Sequence, residues 1–278
     1  MSLWSGGIFR RRSAKPDVPP RGPDQGRLLT YRVANLQGRG SRRRQEDSFA
    51  FANAMDVTEI RRKGLLAVVC DGMGGMEDGK RVSETAVAEL LTGFAGMDRG
   101  QDLAYQLKEC VLRAGERVYS VFQGVGGTTL VACIFFREAL YWASVGDSCL
   151  YLKRRGGLYR LNQEQNLWTE LCLEAVRAGR LETAGADEDP DRHRLSQFLG
   201  KSDMDEVDMS LLPLALEDGD TVLLCSDGVG GVLDESEMLI CLEAPTPGDA
   251  CTRLDERVRA AGRTHQDNYT ALVVMCGY

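Results

Sequence analysis

Residues 65–75 read LLAVVCDGMGG and place an acidic side chain directly after an apolar run. The first six residues have the length and composition of a strand that is buried on both faces. Asp71 follows at once, and the glycines after it let the backbone turn sharply and approach a ligand closely. A carboxylate at the end of an apolar strand is costly unless its charge is paired. This stretch therefore predicts both a core strand and a functional acid.

Other apolar strands of the chain also meet acids at one end. TVLLC, residues 221–225, and ALYWASV, residues 139–145, each reach an aspartate after one further residue. A single Asp-Gly pair is more often an ordinary hairpin turn than a functional site. Turns alone explain the sequence less well when several apolar strands each have an acidic residue at one end. The further acids at strand ends are Glu46, Asp47, Asp147, Asp227 and Asp267.

The missing partner of these acids is most simply a metal cation. Lys and Arg do not stand beside them, except in the run Arg42–Arg44 before Glu46. Carboxylates without nearby His or Cys select hard ions, which indicates Mg²⁺ or Mn²⁺. None of the nine cysteines forms a Cys-x-x-Cys pair, which argues against zinc.

The order of the elements predicts an α+β fold. Apolar residues recur at helical spacing in residues 82–94 and again in residues 103–122. Strands come before and after this helix pair without regular β-α-β alternation, which favours antiparallel sheets covered by helices. A later helix is predicted from the capping box of Asp234 and Glu237, and the last one from Thr246-Pro247. The remaining predicted elements are strands at 28–36, 47–53, 128–136, 149–153 and 270–275, and a helix at 167–178.

Composition divides the chain into a leader and one domain. Residues 1–26 hold four prolines and four glycines and are predicted to be a flexible basic leader. Residues 27–278 are long enough for a single domain. Within it, residues 163–200 lose clear periodicity and are predicted to be an inserted surface segment, the flap.

Charge and cysteine content exclude several classes of function. Residues 1–45 carry a net charge of +9, whereas residues 46–278 carry −16, which makes nucleic-acid binding unfavourable. No run of eighteen apolar residues occurs, so no transmembrane helix is expected. Most cysteines stand in apolar runs and are interpreted as buried reduced thiols, which favours a cytoplasmic location.

The motifs, taken in order, resemble the metal-dependent protein phosphatases, the PPM or type 2C serine/threonine family, in their compact bacterial form. Each motif alone is weak, but the ordered set is specific and the resemblance spans residues 28–278. The matching motifs are Arg42…Glu46-Asp47, Asp71-Gly-Met-Gly-Gly, Gly127-Thr-Thr, Gly146-Asp-Ser, Ser226-Asp-Gly and Asp267-Asn-x-Thr.

The resemblance implies a β-sandwich of two antiparallel sheets flanked by helix pairs, with a binuclear Mg²⁺ or Mn²⁺ centre at one rim. Asp71 resembles the bridging ligand, and Asp227 and Asp267 resemble ligands of one metal. Gly72 is expected to offer its carbonyl to the other metal. Two cations that share a water lower its pKa and supply a nucleophile for attack on phosphorus.

Other matched positions imply supporting roles. Glu46 and Asp47 are expected to organise the water shell of the second metal, and Asp147 to hold a weaker third metal together with Asp227. Arg42 matches the phosphate-binding arginine, and its planar fork can contact two oxygens. Because Arg43 and Arg44 are adjacent, the register of this assignment could shift.

The chain departs from the family pattern in places. Met73 stands where animal members carry a histidine, so it cannot donate a proton to the leaving group. The flap lacks the usual Asp-His-Ser, which makes its substrate contacts the least transferable part. His193 is interpreted as a surface residue of this flap, and His265 as a turn residue.

The resemblance predicts a monomeric enzyme that hydrolyses phosphoserine and phosphothreonine in proteins and opposes a serine/threonine kinase, which is itself an expected substrate. Two alternatives stay open. A catalytically weak or inactive scaffold would be marked by loss of the metal acids, but all of them are present. A phosphatase of small metabolites is compatible with the same motifs.

Overall fold

The computed structural model describes residues 28–73, 79–180 and 189–278. The predicted leader, residues 1–26, lies outside these residues, as do parts of the glycine-rich turn and of the flap. The described chain forms two large antiparallel sheets and a two-stranded ribbon, with helices on the outside. The predicted α+β class and sandwich are confirmed.

The first sheet has five strands in the order β1-β13-β12-β8-β9, so the first and last strands of the domain are neighbours. Thr30 pairs with Gly277 and Gly38 pairs with Tyr269, which fixes the register over the full length of β1. The strands are β1 Thr30–Gly38, β8 Cys149–Arg154, β9 Gly157–Arg160, β12 Thr221–Cys225 and β13 Tyr269–Gly277.

The second sheet has the order β10-β7-β6-β3-β2, and β11 also pairs with β7. The ribbon joins β4 to β5 directly after β3, at the point where the glycine-rich turn begins. The strands are β2 Ser48–Ala52, β3 Leu65–Cys70, β4 Gly72–Met73, β5 Gly127–Thr128, β6 Leu130–Phe136, β7 Ala139–Val145, β10 Asp208–Met209 and β11 Leu214–Ala215.

Helices cover the outer face of each sheet. In β3, alternate residues such as Leu65 and Val69 face the opposite sheet, whereas Leu66 and Val68 pack against α2 and α3. This explains why β3 is apolar throughout: both faces are buried. The helices are α1 Val57–Lys63, α2 Gly79–Gly96, α3 Leu103–Phe122, α4 Leu167–Arg177, α5 Asp227–Gly230, α6 Glu235–Leu242 and α7 Pro247–Ala260.

Two details differ from the sequence prediction. The run 128–136 is divided into β5 and β6, because Thr128 pairs with Gly72 and also bridges to Leu199. The end of the flap segment enters the core, where Leu199 is fully buried against α3. Asn166, Ala175 and Gln197 of this segment are buried as well, so the prediction of a surface segment is wrong for these residues and for Leu199.

Candidate active site

Asp71 is held at the end of β3 by two consecutive threonines. Thr129 Oγ1 accepts from the Asp71 amide at 3.0 Å, and the Thr129 amide donates to the Asp71 carbonyl at 2.9 Å. Thr128 Oγ1 donates to the same carbonyl at 2.8 Å. Gly146 has φ of +100°, and a side chain there would collide with Thr129. The Gly-Thr-Thr and Gly-Asp-Ser motifs thus fix the backbone on which Asp71 stands.

Asp47 lies fully buried beneath the site. Its Oδ2 accepts hydrogen bonds from Ser226 Oγ at 2.8 Å and Thr270 Oγ1 at 2.7 Å. Its Oδ1 is also buried and has no hydrogen-bond partner among the described residues. Burial raises the pKa of Asp47 to about 6. A buried oxygen of this kind is unfavourable unless a further partner satisfies it.

Gly72 packs tightly against Glu46 and the start of α2. A Cβ on Gly72 would lie 2.2 Å from the Gly79 carbonyl oxygen and 2.7 Å from that of Glu46. A Cβ on Gly79 would in turn lie 2.9 Å from Glu46 Oε1. The position of Gly72 therefore requires glycine, because its close neighbours are backbone oxygens, and the lack of a side chain at Gly79 leaves room for the Glu46 carboxylate beside α2.

The predicted site residues converge on one cavity of about 680 Å³ at the rim of the sandwich. Asp47 does not line it, because it lies behind the other acids. Arg42 lines the cavity, whereas Arg43 and Arg44 are not among its lining residues. The predicted residues that line it are Arg42, Glu46, Asp71, Gly72, Asp147, Asp227 and Asp267.

Three acids of this cavity, Asp71, Asp147 and Asp227, resist ionisation. Burial, followed by the charges of Asp47 and Asp227, raises the pKa of Asp71 well above its usual range. Burial and then the charge of Asp227 raise the pKa of Asp147 to about 7. Desolvation of Asp227, followed by the charge of Asp267, raises the pKa of Asp227. Asp71 and Asp227 are close enough to share a hydrogen bond, so these carboxylates crowd each other.

Arg42 supplies a positive charge at the rim of this cavity. One guanidinium nitrogen lies 2.5 Å from Asp267 Oδ2, and the Arg42 side chain remains more than half exposed. This hydrogen bond to Asp267 raises the pKa of Arg42 further, so the guanidinium keeps its charge. Arg42 and Arg194 are the two arginines that line the cavity, against five carboxyl groups, so acidic side chains are in excess there.

The donor set fits a hard divalent cation. Within the three described ranges, no three His, Cys, Asp or Glu side chains are already arranged to hold a metal ion. Asp71 shares a hydrogen bond with Asp227, and Asp267 bonds to Arg42. All-oxygen donors, raised pKa values and the unsatisfied Asp47 Oδ1 together favour Mg²⁺ or Mn²⁺.

Sequence reasoning missed one wall of the cavity. His193, Arg194, Leu195 and Phe198 of the flap line it opposite the acids. Phe198 packs over Gly127, where a Cβ would lie 2.4 Å from the ring. No periodicity marks these residues, because the flap enters the cavity as irregular chain. His265 is exposed and does not line the cavity.

Fold, motif positions and the acidic rim together define a metal-dependent phosphatase of the sandwich type. The chain belongs to the Protein phosphatase 2C family, whose model matches residues 31–175. It is a protein serine/threonine phosphatase.

Comparisons with individual proteins agree with this family. The serine/threonine phosphatase stp of Listeria innocua is 30% identical over 190 residues, covering 66% of this chain and 73% of that protein. The crystal structure of the serine/threonine phosphatase PstP/Ppp of Mycobacterium tuberculosis superposes with a TM-score of 0.72 at 27% identity, covering 90% of this chain and 100% of that one. The catalytic domain of PstP in complex with two manganese ions gives a TM-score of 0.70 at 27% identity, with the same coverage.

Proposed function

We propose that this phosphatase removes phosphate from phosphoserine and phosphothreonine of protein substrates, including a serine/threonine kinase that it opposes, through the acidic cavity. The observation that carries the proposal is the convergence of Arg42 and five carboxylates, drawn from distant parts of the chain, on one cavity. Such convergence of like charges is unfavourable in the free chain and becomes useful when cations bind.

The proposed metal ligands follow the family assignment. Asp71 would be shared by two tight metal sites, with Asp227 and Asp267 as further ligands of one and the Gly72 carbonyl as a ligand of the other. Glu46 and Asp47 would hold water at that second site, and Asp147 would hold a third, weaker metal together with Asp227. Mg²⁺ or Mn²⁺ bound there would activate water and neutralise phosphoryl charge.

Side chains around the cavity bind the phosphoryl group and the rest of the substrate. Arg42 clamps the phosphoryl oxygens, for which its fork and fixed charge are suited. Its present contact with Asp267 shows that the guanidinium reaches the acidic end of the cavity. The flap wall, with Leu195 and Phe198 half-buried, contacts the polypeptide around the phosphorylated residue.

A Mn²⁺-dependent assay on a phosphothreonine peptide tests the proposal, with Asp227→Asn as the control. We expect turnover by the parent chain and none by the variant. Equal or faster turnover of sugar phosphates would favour the metabolite alternative. A correctly folded parent chain that hydrolyses neither substrate would favour the scaffold.

The proposal extends to the organisation of the chain. No helix among the described residues is long and apolar enough to cross a membrane. All nine cysteines are free and eight are buried, which supports a reducing, cytoplasmic setting. We propose a monomer whose catalytic domain is residues 27–278 and whose residues 1–26 are dispensable for peptide hydrolysis. Sedimentation of the full chain and a truncation that starts at Arg27 test these points.

A further inference from the structure

The loop between β1 and β2, which carries Arg42, is fastened by one buried asparagine. Asn268 Oδ1 accepts from the Glu46 amide at 2.7 Å. Asn268 Nδ2 donates to the carbonyls of Arg39 and Arg44, both at 2.9 Å. The Asn268 side chain is 3% exposed and satisfies all three loop groups at once. The two ends of the loop are therefore tied to one side chain, with Arg42 between them.

Neighbours of Asn268 hold the same loop from the other side. The Gln266 carbonyl accepts from the Ser41 amide at 2.8 Å and from Ser41 Oγ at 2.9 Å. Gln266 Nε2 donates to the Gly228 carbonyl at 2.9 Å, next to Asp227. Gly40 has φ of +58°, and a Cβ there would lie 2.3 Å from the Asp267 carbonyl oxygen. The segment 266–268 thus connects the arginine loop with the Asp227 turn.

We propose that Asn268 is a positioning residue, which acts through Arg42 and sets the distance of its guanidinium from Asp267 and from bound phosphate. The inference rests on the proposed role of Arg42 as the phosphate clamp. Arg42 is more than half exposed, and its side chain bonds to Asp267. Because little packing surrounds this side chain, the position of the loop backbone limits where the guanidinium can reach. Binding groups must be held within a fraction of an ångström, and anchoring by buried hydrogen bonds achieves this.

A double-mutant cycle on the Mn²⁺-loaded enzyme tests the proposal. Asn268→Ala should raise both KM for a phosphothreonine peptide and the inhibition constant of inorganic phosphate about tenfold, with a smaller change in kcat. In an Arg42→Ala background, Asn268→Ala should add less than about twofold, because the clamp is already gone. If the fold-changes of the two single variants in KM and in the phosphate inhibition constant simply multiply in the double variant, the proposal is overturned.

A matched control separates positioning from general destabilisation. Asn53 Nδ2 donates to the Gly64 carbonyl at 2.8 Å, and Asn53 has φ of +67°, so Asn53→Ala should also lower Tm. Asn53 does not line the cavity, and this variant should leave KM and phosphate inhibition unchanged. If Asn53→Ala raises KM as much as Asn268→Ala does, the effect of Asn268 is one of stability.

A second variant covers the case in which Asn268→Ala does not fold. Asn268→Ser keeps a polar group and should show an intermediate rise in the phosphate inhibition constant; an unchanged constant would overturn the proposal. Arg42→Ala alone tests the proposed function. If it changes neither KM nor phosphate inhibition, the clamp assignment fails. If Arg42→Ala raises KM and the phosphate inhibition constant but the effects of the two substitutions multiply in the double variant, the clamp assignment stands and the positioning role of Asn268 is wrong.

Discussion

Arg42 and Asp267 are separated by 225 residues in sequence, yet their side chains pair at 2.5 Å. One stands in the loop after β1 and the other just before β13. These two strands pair along their whole length, which brings the loop and the aspartate to the same end of the sheet. The pair couples a proposed phosphate ligand to a proposed metal ligand.

The first prediction compares the three consecutive arginines. Arg42→Ala should lower kcat/KM about tenfold to a hundredfold, because a charge-assisted bidentate contact contributes roughly 1.5–3 kcal/mol. Arg42→Lys should recover only part of the loss, since an ammonium lacks the planar fork. Steady-state kinetics and phosphate inhibition provide the measurement. Arg43→Ala and Arg44→Ala serve as controls, and a larger effect at either would move the assignment along the loop.

The second prediction concerns removal of the metal. Chelation should abolish hydrolysis, and Mn²⁺ or Mg²⁺ should restore it while Zn²⁺ should not, because the candidate ligands are all hard oxygens. The assay is turnover of a phosphothreonine peptide before and after dialysis. Full activity in excess chelator would exclude a two-metal mechanism.

The third prediction concerns Asp147. As a ligand of only the third, weaker site, Asp147→Ala should lower turnover while the two tight sites still bind Mn²⁺. Titration calorimetry counts these sites directly. Loss of a tight site in the variant would show that Asp147 belongs to the central pair, and Asp267→Ala provides the comparison in which one tight site should be lost.

The fourth prediction concerns the stability of the metal-free chain. Burial raises the folded-state pKa of Asp47 to about 6 and that of Asp147 to about 7, above the ordinary value of 3.8. A raised acid pKa favours folding at low pH, and this contribution is lost as the pH rises through the folded value. The free energy of unfolding should therefore fall between about pH 4 and pH 7.

Denaturant titrations with and without Asp147→Asn isolate this effect from other groups. The variant should show a smaller loss of stability over that range, because its amide does not ionise. An identical pH dependence of the free energy of unfolding in parent and variant would mean that the pKa of Asp147 is not raised in the metal-free chain. Added Mn²⁺ should reverse the trend by stabilising the charged carboxylates.

Long apolar segments were predictable from sequence alone. LLAVVC and ALYWASV have the bounds of β3 and β7, because β3 is buried throughout and β7 over most of its length, which leaves nearly continuous apolar runs. The helix over 103–122 was also found, since its stripe faces the sheet. By contrast, α1 was missed because none of its residues is buried, so it lacks an apolar stripe. The strands β10 and β11 have two residues each and are too short for any period.

For the site, the acids were recognisable because they stand close to the ends of strands, and the structure brings all of them except Asp47 to the lining of one cavity. The residues that hold these acids and the arginine loop in place by hydrogen bonds were not recognisable from sequence. That Thr270 and Ser226 bond to Asp47 depends on how β12 and β13 lie beside the second sheet, which no local pattern encodes. The same holds for Asn268, whose three loop contacts are all more than 200 residues distant in sequence.

The pairing of β1 with β13 has a consequence for the newborn chain. A polypeptide emerging from the ribosome contains Arg42, Glu46 and Asp71 early, but Asp267 and Asn268 only when nearly the whole domain has been made. Until β13 inserts between β1 and β12, the arginine loop lacks its anchor and β1 has no partner strand in the sheet. Contacts so distant in sequence form late in folding. Phosphatase activity should therefore require synthesis past residue 277, so that chains that stop before β13 cannot dephosphorylate proteins.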